Sequence, residues 1–506
     1  MREIRLFLPV VALATASGCN EILGMDAREP FPETSSGGTG GSSSVSSSST
    51  GGGGQGGGTG GAGGGMCDPD TGAGCGVHLW SKIFGDTSYQ SPVGIASDAQ
   101  GNVYVAGSFY GTIQLGGMPL ISAGSGDVFL AKFDLTGNHL WSKRFGDADS
   151  QDVMDVAVDA SGNVVITGYF EGAIDFGDGF IQGGDDSMSG DLFVAKFDAN
   201  GSLIWSGGYG DPMFPQRSWG AAIDGSGDVV VVGGFRGTLG PLTAMEPEGY
   251  GDSFLIKFAS LDGTIVWAKQ FGDAGSQFNA ARAIAIDTSD SIVMAGGTWT
   301  GVLDFGGAEL TDLDGDIFLV RFDTNGNHTW SKSFKASLYG DANGVAVDSL
   351  GNLVVTGRFR GAVDLGGSPL ASAGDFDAYL AKYSVVGEPL WSYRYGSVGN
   401  DSGSSVVVDA TGDIVFAGMM AGEVDFGGGE LPFGGDSDVF LVKFSAEGSH
   451  QWSRAFGDAN SQRAALVTAA GSKVLFACAT EGSINFGSNP LTSAGDVDVA
   501  LAKFTP

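Results

Sequence analysis

Four histidines are the side chains of this sequence best suited to acid–base or metal chemistry, because imidazole titrates near neutral pH and often ligates metals. They are His78, His139, His328 and His450, and each lies two residues before a tryptophan. One position repeated in four separate structural units cannot bring these rings together in one site. Neither a serine triad nor a zinc cluster can be assembled from them, so we expect no catalytic residue and a non-enzymatic protein.

Acidic side chains at alternate positions are the second candidate, since carboxylate and hydroxyl oxygens are the ligands that Ca²⁺ prefers. Asp185, Ser187, Ser189 and Asp191 begin like a calcium-binding loop, but Lys196 stands at the twelfth position, where such a loop requires a Glu. Similar Asp-x-Asp pairs recur at regular intervals along the chain, which favours turns that lead into strands. We therefore expect no resident cofactor, with Ca²⁺ at this loop as the alternative.

A secretion signal is predicted at the start of the chain. Residues 1–5 are short and basic, and residues 6–14 form an apolar run too short to span a bilayer. This pattern predicts export from the cell rather than a membrane helix.

The first cysteine follows this apolar run closely. The small residues 16–18 and then Cys19 form a sequence that resembles the lipobox of bacterial lipoproteins. The resemblance implies removal of residues 1–18 and a lipid on the Cys19 thiol, with residues 19–33 as the lipidated N-terminus. Asn20, in place of an Asp, favours the outer membrane or cell surface, while an ordinary signal peptide with an incidental cysteine is the alternative.

A flexible tether follows the anchor. Residues 34–66 are almost wholly Gly, Ser and Thr and cannot bury enough apolar surface to offset their ordering entropy. Cys67 and Cys75 come next, and in an oxidising compartment they most simply form a disulfide that closes a loop over residues 67–76, with a metal site as the alternative. Cys478 lies in an apolar run and is predicted to be a buried small residue.

The charge of the chain excludes one class of partner. Its 506 residues carry 58 acidic and 25 basic side chains, a formal net charge of -33. Such a surface repels nucleic acid and anionic lipid headgroups. We therefore expect no nucleic-acid partner, and membrane contact only through the lipid.

A repeat organises the rest of the chain. One clear copy, residues 127–146, alternates apolar and polar side chains, turns at Asp134-Leu135-Thr136-Gly137 and returns through a tryptophan, as expected of two strands and a tight turn. The tryptophan recurs with spacings of 61 to 64 residues, at Trp80, Trp141, Trp205, Trp267, Trp330, Trp391 and Trp452.

Each repeat contains two further strand signals separated by a second Asp-x-x-Gly turn, as at Asp159 to Gly162. Four antiparallel strands in a meander make one blade of a β-propeller, and a segment such as 301–310 predicts a small extra hairpin. Residues 77–506 thus predict an all-β fold with seven blades. The chain enters at a last strand near Trp80 and ends at a third strand, so the N-terminal strand is predicted to complete the seventh blade. In that blade Thr468 stands where the other units have the turn Asp.

Two resemblances accompany this pattern. The segments 156–159 (VAVD) and 162–164 (GNV) resemble the bacterial β-propeller repeat family of exported and surface proteins, which implies a propeller but no single activity. The spacing from Asp134 through Gly137 to Trp141 is similar to the tryptophan docking motif of quinoprotein dehydrogenases. The turn here is one residue shorter and no vicinal cysteine pair is present, so the motif is interpreted as a device that docks blades.

The segments that differ most between repeats predict the functional surface. Both Asp-x-x-Gly turns of a blade must emerge on one face, which leaves the variable segments on the opposite face. We expect a monomeric, lipid-anchored module that binds a protein or glycan there. The alternatives are a structural or adhesion component without a discrete ligand, or a quinoprotein-like or other enzyme. The predicted ligand-binding residues are Tyr89, Gln90, Phe214, Gln216, Arg217, Gln277, Phe278, Tyr339, Gln462 and Arg463.

Overall fold

The computed structural model describes residues 76–183, 190–211, 213–243, 251–272, 279–298, 301–313 and 315–506. These residues form seven antiparallel sheets of four strands, numbered blades 1 to 7 in the order of their first strands, and seven two-stranded hairpins. No helix occurs among them, and thus none long and apolar enough to cross a membrane. The prediction of an all-β propeller with seven blades is confirmed.

The first strand of each blade is the innermost. It contacts the first strands of both neighbouring blades, and the series returns from blade 7 to blade 1. The first strands are Gln90–Ser97, Gln151–Val158, Gln216–Ile223, Asn279–Ile286, Tyr339–Val347, Ser402–Val408 and Gln462–Ala470. The second strands are Val103–Phe109, Val164–Phe170, Val229–Phe235, Ile292–Thr298, Leu353–Arg360, Ile414–Met420 and Lys473–Thr480.

The third and fourth strands lie progressively further from the axis. The third strands are Asp127–Phe133, Asp191–Phe197, Asp252–Phe258, Ile317–Phe322, Asp377–Tyr383, Asp438–Phe444 and Asp498–Phe504. The fourth strands are His139–Phe145, Leu203–Tyr209, Ile265–Phe271, His328–Phe334, Pro389–Tyr395, His450–Phe456 and, for blade 7, His78–Phe84. Second and third strands are largely buried on both faces, because neighbouring blades cover both sides of them, and each third strand also holds a buried lysine or arginine such as Lys132.

The predicted extra hairpin joins the second strand of every blade to its third. The hairpin pairs are Thr112–Ile113 with Leu120–Ile121, Ala173–Asp175 with Phe180–Gln182, Thr238–Leu239 with Leu242–Thr243, Gly301–Leu303 with Leu310–Leu313, Ala362–Val363 with Leu370–Ala371, Val424–Asp425 with Glu430–Leu431, and Ser483–Ile484 with Leu491–Thr492. Each hairpin contacts the fourth strand of its blade, which partly covers the outer strand.

The ring closes through the N-terminal strand, as predicted. His78–Phe84 pairs antiparallel with Asp498–Phe504, with Ser81 opposite Ala502. The Gly76 N–H also donates to the Pro506 carbonyl at 3.2 Å. Blade 7 therefore has four strands although its segments come from both ends of the described chain.

The repeated tryptophans dock each blade onto the next. Trp141 donates its indole N–H to the Ala199 carbonyl at 3.2 Å, in the turn between the third and fourth strands of blade 2. A Cβ added to Gly201 of that turn would lie 3.2 Å from the Trp141 ring, so the glycine allows the indole to lie flat on the backbone. Trp80 meets Gly137 and Trp330 meets Gly387 in the same way. The interpretation of this motif as a blade-docking device fits these contacts.

Blade 7 differs from the prediction in its first turn. Thr468 pairs with Leu475 inside the sheet, and Ala470 takes the place that the turn Asp has in the other blades. The turn is shortened to Gly471-Ser472, one residue fewer than in the other blades, while the first-strand bulge between Arg463 and Leu466 adds one residue as it does in them. The assignment of Thr468 to the Asp position was therefore wrong.

The packing of blade 7 also accounts for the burial of Cys478. In blades 1 to 6 a second-strand glycine lies opposite a third-strand Phe or Tyr, as Gly168 lies opposite Phe193. In blade 7 this pair is Cys478 and Ala500, so a larger side chain faces a smaller one. Cys478 is fully buried and reduced, which agrees with the prediction of a small core residue.

Candidate functional site

The two faces of the ring differ in chain length and composition. Turns such as Asp98 to Gly101 and Asp134 to Gly137 join first to second and third to fourth strands, so they share one face, here called the turn face. The opposite face, the variable face, carries the segments between blades and the bases of the hairpins. Side chains exposed on the variable face include Met213, Leu338 and Val398, which are 71%, 64% and 83% exposed. This face was predicted to bind the ligand.

Charged and aromatic side chains collect where the innermost strands reach the variable face. A first cluster lies between blades 2 and 3. The Arg217 guanidinium lies 4.5 Å from the centre of the Tyr169 ring, and the Tyr169 hydroxyl donates to Asp152 Oδ2 at 2.6 Å. Burial, followed by the Asp152 charge, raises the pKa of Tyr169 far above its usual range, so its hydroxyl stays protonated at neutral pH.

The first cluster continues into blades 7 and 1. Arg463 pairs with Glu481 and lies near Tyr89. The Tyr89 ring meets Tyr110 edge to face at 6.2 Å, and Tyr110 is 43% exposed. Burial raises the pKa of Tyr89. These contacts place cations, anions and aromatic rings side by side on the variable face.

A second cluster lies between blades 4 and 5. Asp341 is fully buried, and its Oδ2 lies 3.4 Å from Arg358 Nε and 3.8 Å from Arg282 Nη1. The Tyr339 hydroxyl donates to the same oxygen at 3.2 Å, and burial, followed by the Asp341 charge, raises the Tyr339 pKa to about 12. The Arg358 guanidinium also lies 4.7 Å from the centre of the Phe376 ring. Two guanidinium groups thus face one carboxylate.

Three of the four predicted glutamines lie inside the blades. Gln90, Gln216 and Gln462 are fully buried, and Gln151 holds the same position in blade 2. The Gln90 amide donates to Asp86 Oδ1 at 2.8 Å and to the Tyr110 carbonyl at 3.0 Å, which fixes the variable-face loops. Their amides are consumed by these internal bonds, so we remove the three glutamines from the ligand-binding face.

The other predicted site residues lie either within or outside the part of the chain that the structure describes. Arg217, Arg463, Tyr89 and Tyr339 lie at the variable-face ends of the innermost strands, and Phe214 lies under the Arg236 guanidinium at 5.3 Å. Asp191 is buried at the start of a third strand. The residues that lie outside the described part of the chain are Cys19, Cys67, Cys75, Asp185, Ser187, Ser189, Gln277 and Phe278.

Sequence reasoning missed Tyr169, Arg282, Arg358 and Phe376. The sequence contained a signal for two of them. Tyr169 and Arg358 immediately follow the second-strand glycine that lies opposite the third-strand Phe or Tyr. Most of the other blades place Ser, Gly or Ala at this point. A large polar residue there reaches the axial opening.

An interblade carboxylate lies deeper along the axis. Asp155 Oδ1 accepts the Val156 N–H and Oδ2 accepts the Ala221 N–H of the next blade, both at 2.8 Å. Burial raises the pKa of Asp155 from 3.8 to about 6. The described residues hold no group of three or more His, Cys, Asp or Glu side chains that could bind a metal ion.

Asp155 makes stability depend on pH. Because the pKa of Asp155 is raised in the folded state, the unfolded chain ionises first as the pH rises from about 4. The resulting loss of stability grows up to about pH 6, where it reaches at most about 3 kcal/mol, and it persists above that pH. We expect the free energy of unfolding of the native protein, relative to Asp155→Asn, to fall across this window and stay level above it. Denaturant titrations at pH 4, 5, 6 and 7 measure this, and a difference that is constant with pH would contradict it.

Comparison with known proteins agrees with this architecture. Residues 79–108 match the model of the family described as Beta-propeller repeat. An uncharacterized WD repeat-containing protein of Acanthamoeba polyphaga mimivirus is 26% identical over 425 residues, covering 68% of this chain and 30% of that protein. Regulatory protein FlaEY of Caulobacter vibrioides is 25% identical over 355 residues, covering 63% and 36%. The chain thus spans about a third of these curated relatives.

Solved structures similar to this chain include a dehydrogenase and a WD40 domain. A quinohemoprotein alcohol dehydrogenase of Pseudomonas putida aligns with a TM-score of 0.44 at 12% identity, covering 85% of this chain and 76% of that one. The Pan2 WD40 domain of Neurospora crassa aligns with a TM-score of 0.40 at 10% identity, covering 85% and 100%. The described residues thus form a seven-bladed β-propeller by their own sheet topology, and residues 79–108 are similar to the Beta-propeller repeat family.

Proposed function

We propose that this protein is a non-enzymatic binding module that recognises a protein or glycan through the axial opening of its variable face. The observation that carries the proposal is the pairing of arginines with aromatic rings on that face. Arg217 lies against Tyr169, Arg236 against Phe214 and Arg358 against Phe376. Arginine and aromatic side chains supply most of the binding energy at typical recognition surfaces.

The rigid frame beneath the opening suits this role. Seven apolar clusters, one at each blade junction, hold the innermost strands in place. Side chains at the ends of these strands are positioned before a ligand arrives, which lowers the entropy lost on binding. The same frame carries different residues in each blade, so the opening is asymmetric and can select one ligand.

The sequence of the first 66 residues supports a location for this module. The short basic start, the apolar run and the lipobox-like Cys19 favour export and a lipid anchor, and residues 34–66 have the composition of a tether. We propose that the propeller is held at the outer membrane or cell surface. Labelling with a radioactive fatty acid tests this, since Cys19→Ser should abolish incorporation; undiminished labelling would contradict it.

Binding through the variable face is tested by comparing matched variants on glycan arrays and in capture of surface proteins. Replacing Phe214 and Arg217 by Ala removes an aromatic ring and a guanidinium from the proposed surface, and we expect retention of the ligand to fall at least about tenfold. Leu350→Ala, on the turn face and 78% exposed, is the control and should retain the ligand fully. Equal loss in both variants, or none in either, would contradict the proposal.

A further inference from the structure

Blade 7 is the blade of the described ring whose third and fourth strands are not joined by a turn. Asp498–Phe504 and the closing strand, His78–Phe84, come from opposite ends of the described chain, so noncovalent contacts alone keep them paired. At the turn-face end of this pair the Gly76 N–H donates to the Pro506 carbonyl at 3.2 Å. A change that weakens this end of the pair therefore opens the ring.

His78 begins the closing strand and contacts two other elements of blade 7. Its imidazole meets the Phe504 ring of the third strand edge to face, with 6.1 Å between the ring centroids. A Cβ added to Gly487, in the turn of the blade 7 hairpin, would lie 3.3 Å from the His78 Cβ. One side chain thus packs against both the third strand and the hairpin.

The surroundings of the His78 imidazole suit its uncharged form. The Nε2 atom is buried and has no hydrogen-bond partner among the described residues. In blades 1 and 4 the corresponding histidines, His139 and His328, place Nε2 3.0 Å from a serine hydroxyl. Protonation of His78 gives Nε2 a charged N–H for which this junction supplies no acceptor, and a charge buried without a partner is costly.

A neighbouring cation adds to this cost. Arg454, on the fourth strand of blade 6, donates from Nε to the Gly76 carbonyl at 2.9 Å, which holds its charge close to the start of the closing strand. Burial, followed by the field of Arg454, lowers the pKa of His78 from its usual value of 6.5. Both effects favour the neutral ring in the closed state.

The other elements around His78 bring no compensating anion. The hairpin segment 483–495 contains no charged side chain. The charged side chains nearest in sequence on the closing strand and at the end of the third strand are Lys82 and Lys503, which are also cations. Within the described residues, no carboxylate offsets the field of Arg454 at His78.

The corresponding position in other blades shows that packing does not require a histidine. Blades 2 and 5 place Leu203 and Pro389 there, and neither side chain titrates. Blade 6 has His450, but its hairpin carries Asp425 where that of blade 7 has Asn485, and the Asp425 charge raises the pKa of His450 against the effect of burial. Blade 7 instead combines a histidine with an uncharged hairpin and a nearby guanidinium group.

We propose that His78 is a pH-sensitive switch at the closure of the ring, whose neutral imidazole holds the closing strand and hairpin of blade 7 together and whose protonation releases them. In the open state the ring is hydrated and binds a proton as an ordinary histidine does, so acid shifts the equilibrium towards opening. With an open-state pKa of 6.5, the shift at pH 5 is at most about thirtyfold. This switch is independent of the ligand proposed for the variable face.

Hydrogen–deuterium exchange of the full chain at pH 7.5 and pH 5.0 tests the proposal, with protection factors corrected for the intrinsic exchange rate at each pH. We expect protection of His78–Phe84 and of residues 483–492 to fall several-fold, up to about thirtyfold, at pH 5.0. The matching strand and hairpin of blade 5, Pro389–Tyr395 and residues 362–371, should change by less than about twofold. Equal protection of His78–Phe84 at both pH values, or equal losses in blades 5 and 7, would overturn the proposal.

Two variants identify the group that titrates. His78→Leu copies the residue of blade 2 and should abolish the pH dependence of protection in blade 7. Asn485→Asp copies the hairpin of blade 6 and keeps the acceptor for the Gly487 N–H. Its carboxylate favours the protonated ring in the closed state, so the acid-induced loss should shrink at least about threefold. This second variant keeps the test decisive if His78→Leu is recovered unfolded, and a loss of native size in either folded variant would overturn the assignment to His78.

Discussion

Deletion of residues 1–84 is expected to destroy the folded ring, whereas deletion of residues 1–75 leaves it intact. The longer deletion removes His78–Phe84, the fourth strand of blade 7, and exposes the edge of Asp498–Phe504. It also removes Trp80 and Phe84, which pack in the apolar cluster between blades 7 and 1. Loss of these two aromatic side chains alone costs several kcal/mol, and an exposed strand edge promotes aggregation.

Thermal unfolding followed by circular dichroism measures this difference. We expect the 1–84 deletion to unfold at least about 10 °C below the 1–75 deletion, or to be recovered only as aggregate. Since both variants lack the N-terminal 75 residues, the comparison isolates the closing strand. Equal unfolding temperatures would show that blade 7 does not need this strand and would contradict the closure.

Substitution of Gly168 by Ala is expected to cost about 3 kcal/mol or more, the overpacking range of a rigid core. A Cβ at this position would lie 2.0 Å from the Asp152 carbonyl oxygen and 2.8 Å from the Phe193 ring. A backbone oxygen in a sheet cannot withdraw without breaking the sheet. The same close approach recurs at Gly107, Gly233, Gly357 and Gly418.

Chemical denaturation of the native protein and two variants measures this cost. Gly367→Ala is the matched control, because its added Cβ would meet only Ser392 Oγ at 3.5 Å. We expect that variant to lie within about 0.5 kcal/mol of the native protein. A small effect of Gly168→Ala would mean that first and second strands are spaced further apart than described.

The architecture was predictable because the sequence pattern of one blade recurs seven times along the chain. Alternating strands, Asp-x-x-Gly turns and a tryptophan at each period leave few folds that can contain them, and the position of Trp80 relative to the last repeat specified the closure. In blade 7 the prediction was wrong at the first turn, where Thr468 was assigned to the position of the turn Asp. There the turn is one residue shorter and Ala470 replaces the turn Asp, so the marker that aligns the other repeats is missing from the sequence.

The candidate site was less predictable because the sequence does not show which variable residue points inwards. Gln90, Gln216 and Gln462 were chosen for their position in variable segments, yet a long amide that follows a loop folds back to bond that loop. Arg358 was overlooked because it lies within a regular strand rather than a loop. Its neighbour Arg282 joins it only through the contact between blades 4 and 5.

Site-specific photocrosslinking tests the central claim, that the variable face is the binding face, most directly. A photoreactive amino acid replaces Met213 on the variable face in one protein and Leu350 on the turn face in another; these side chains are 71% and 78% exposed. Irradiation at the cell surface should give a discrete adduct from position 213 and none from position 350. Adducts from position 350 alone, or equal adducts from both positions, would contradict the claim.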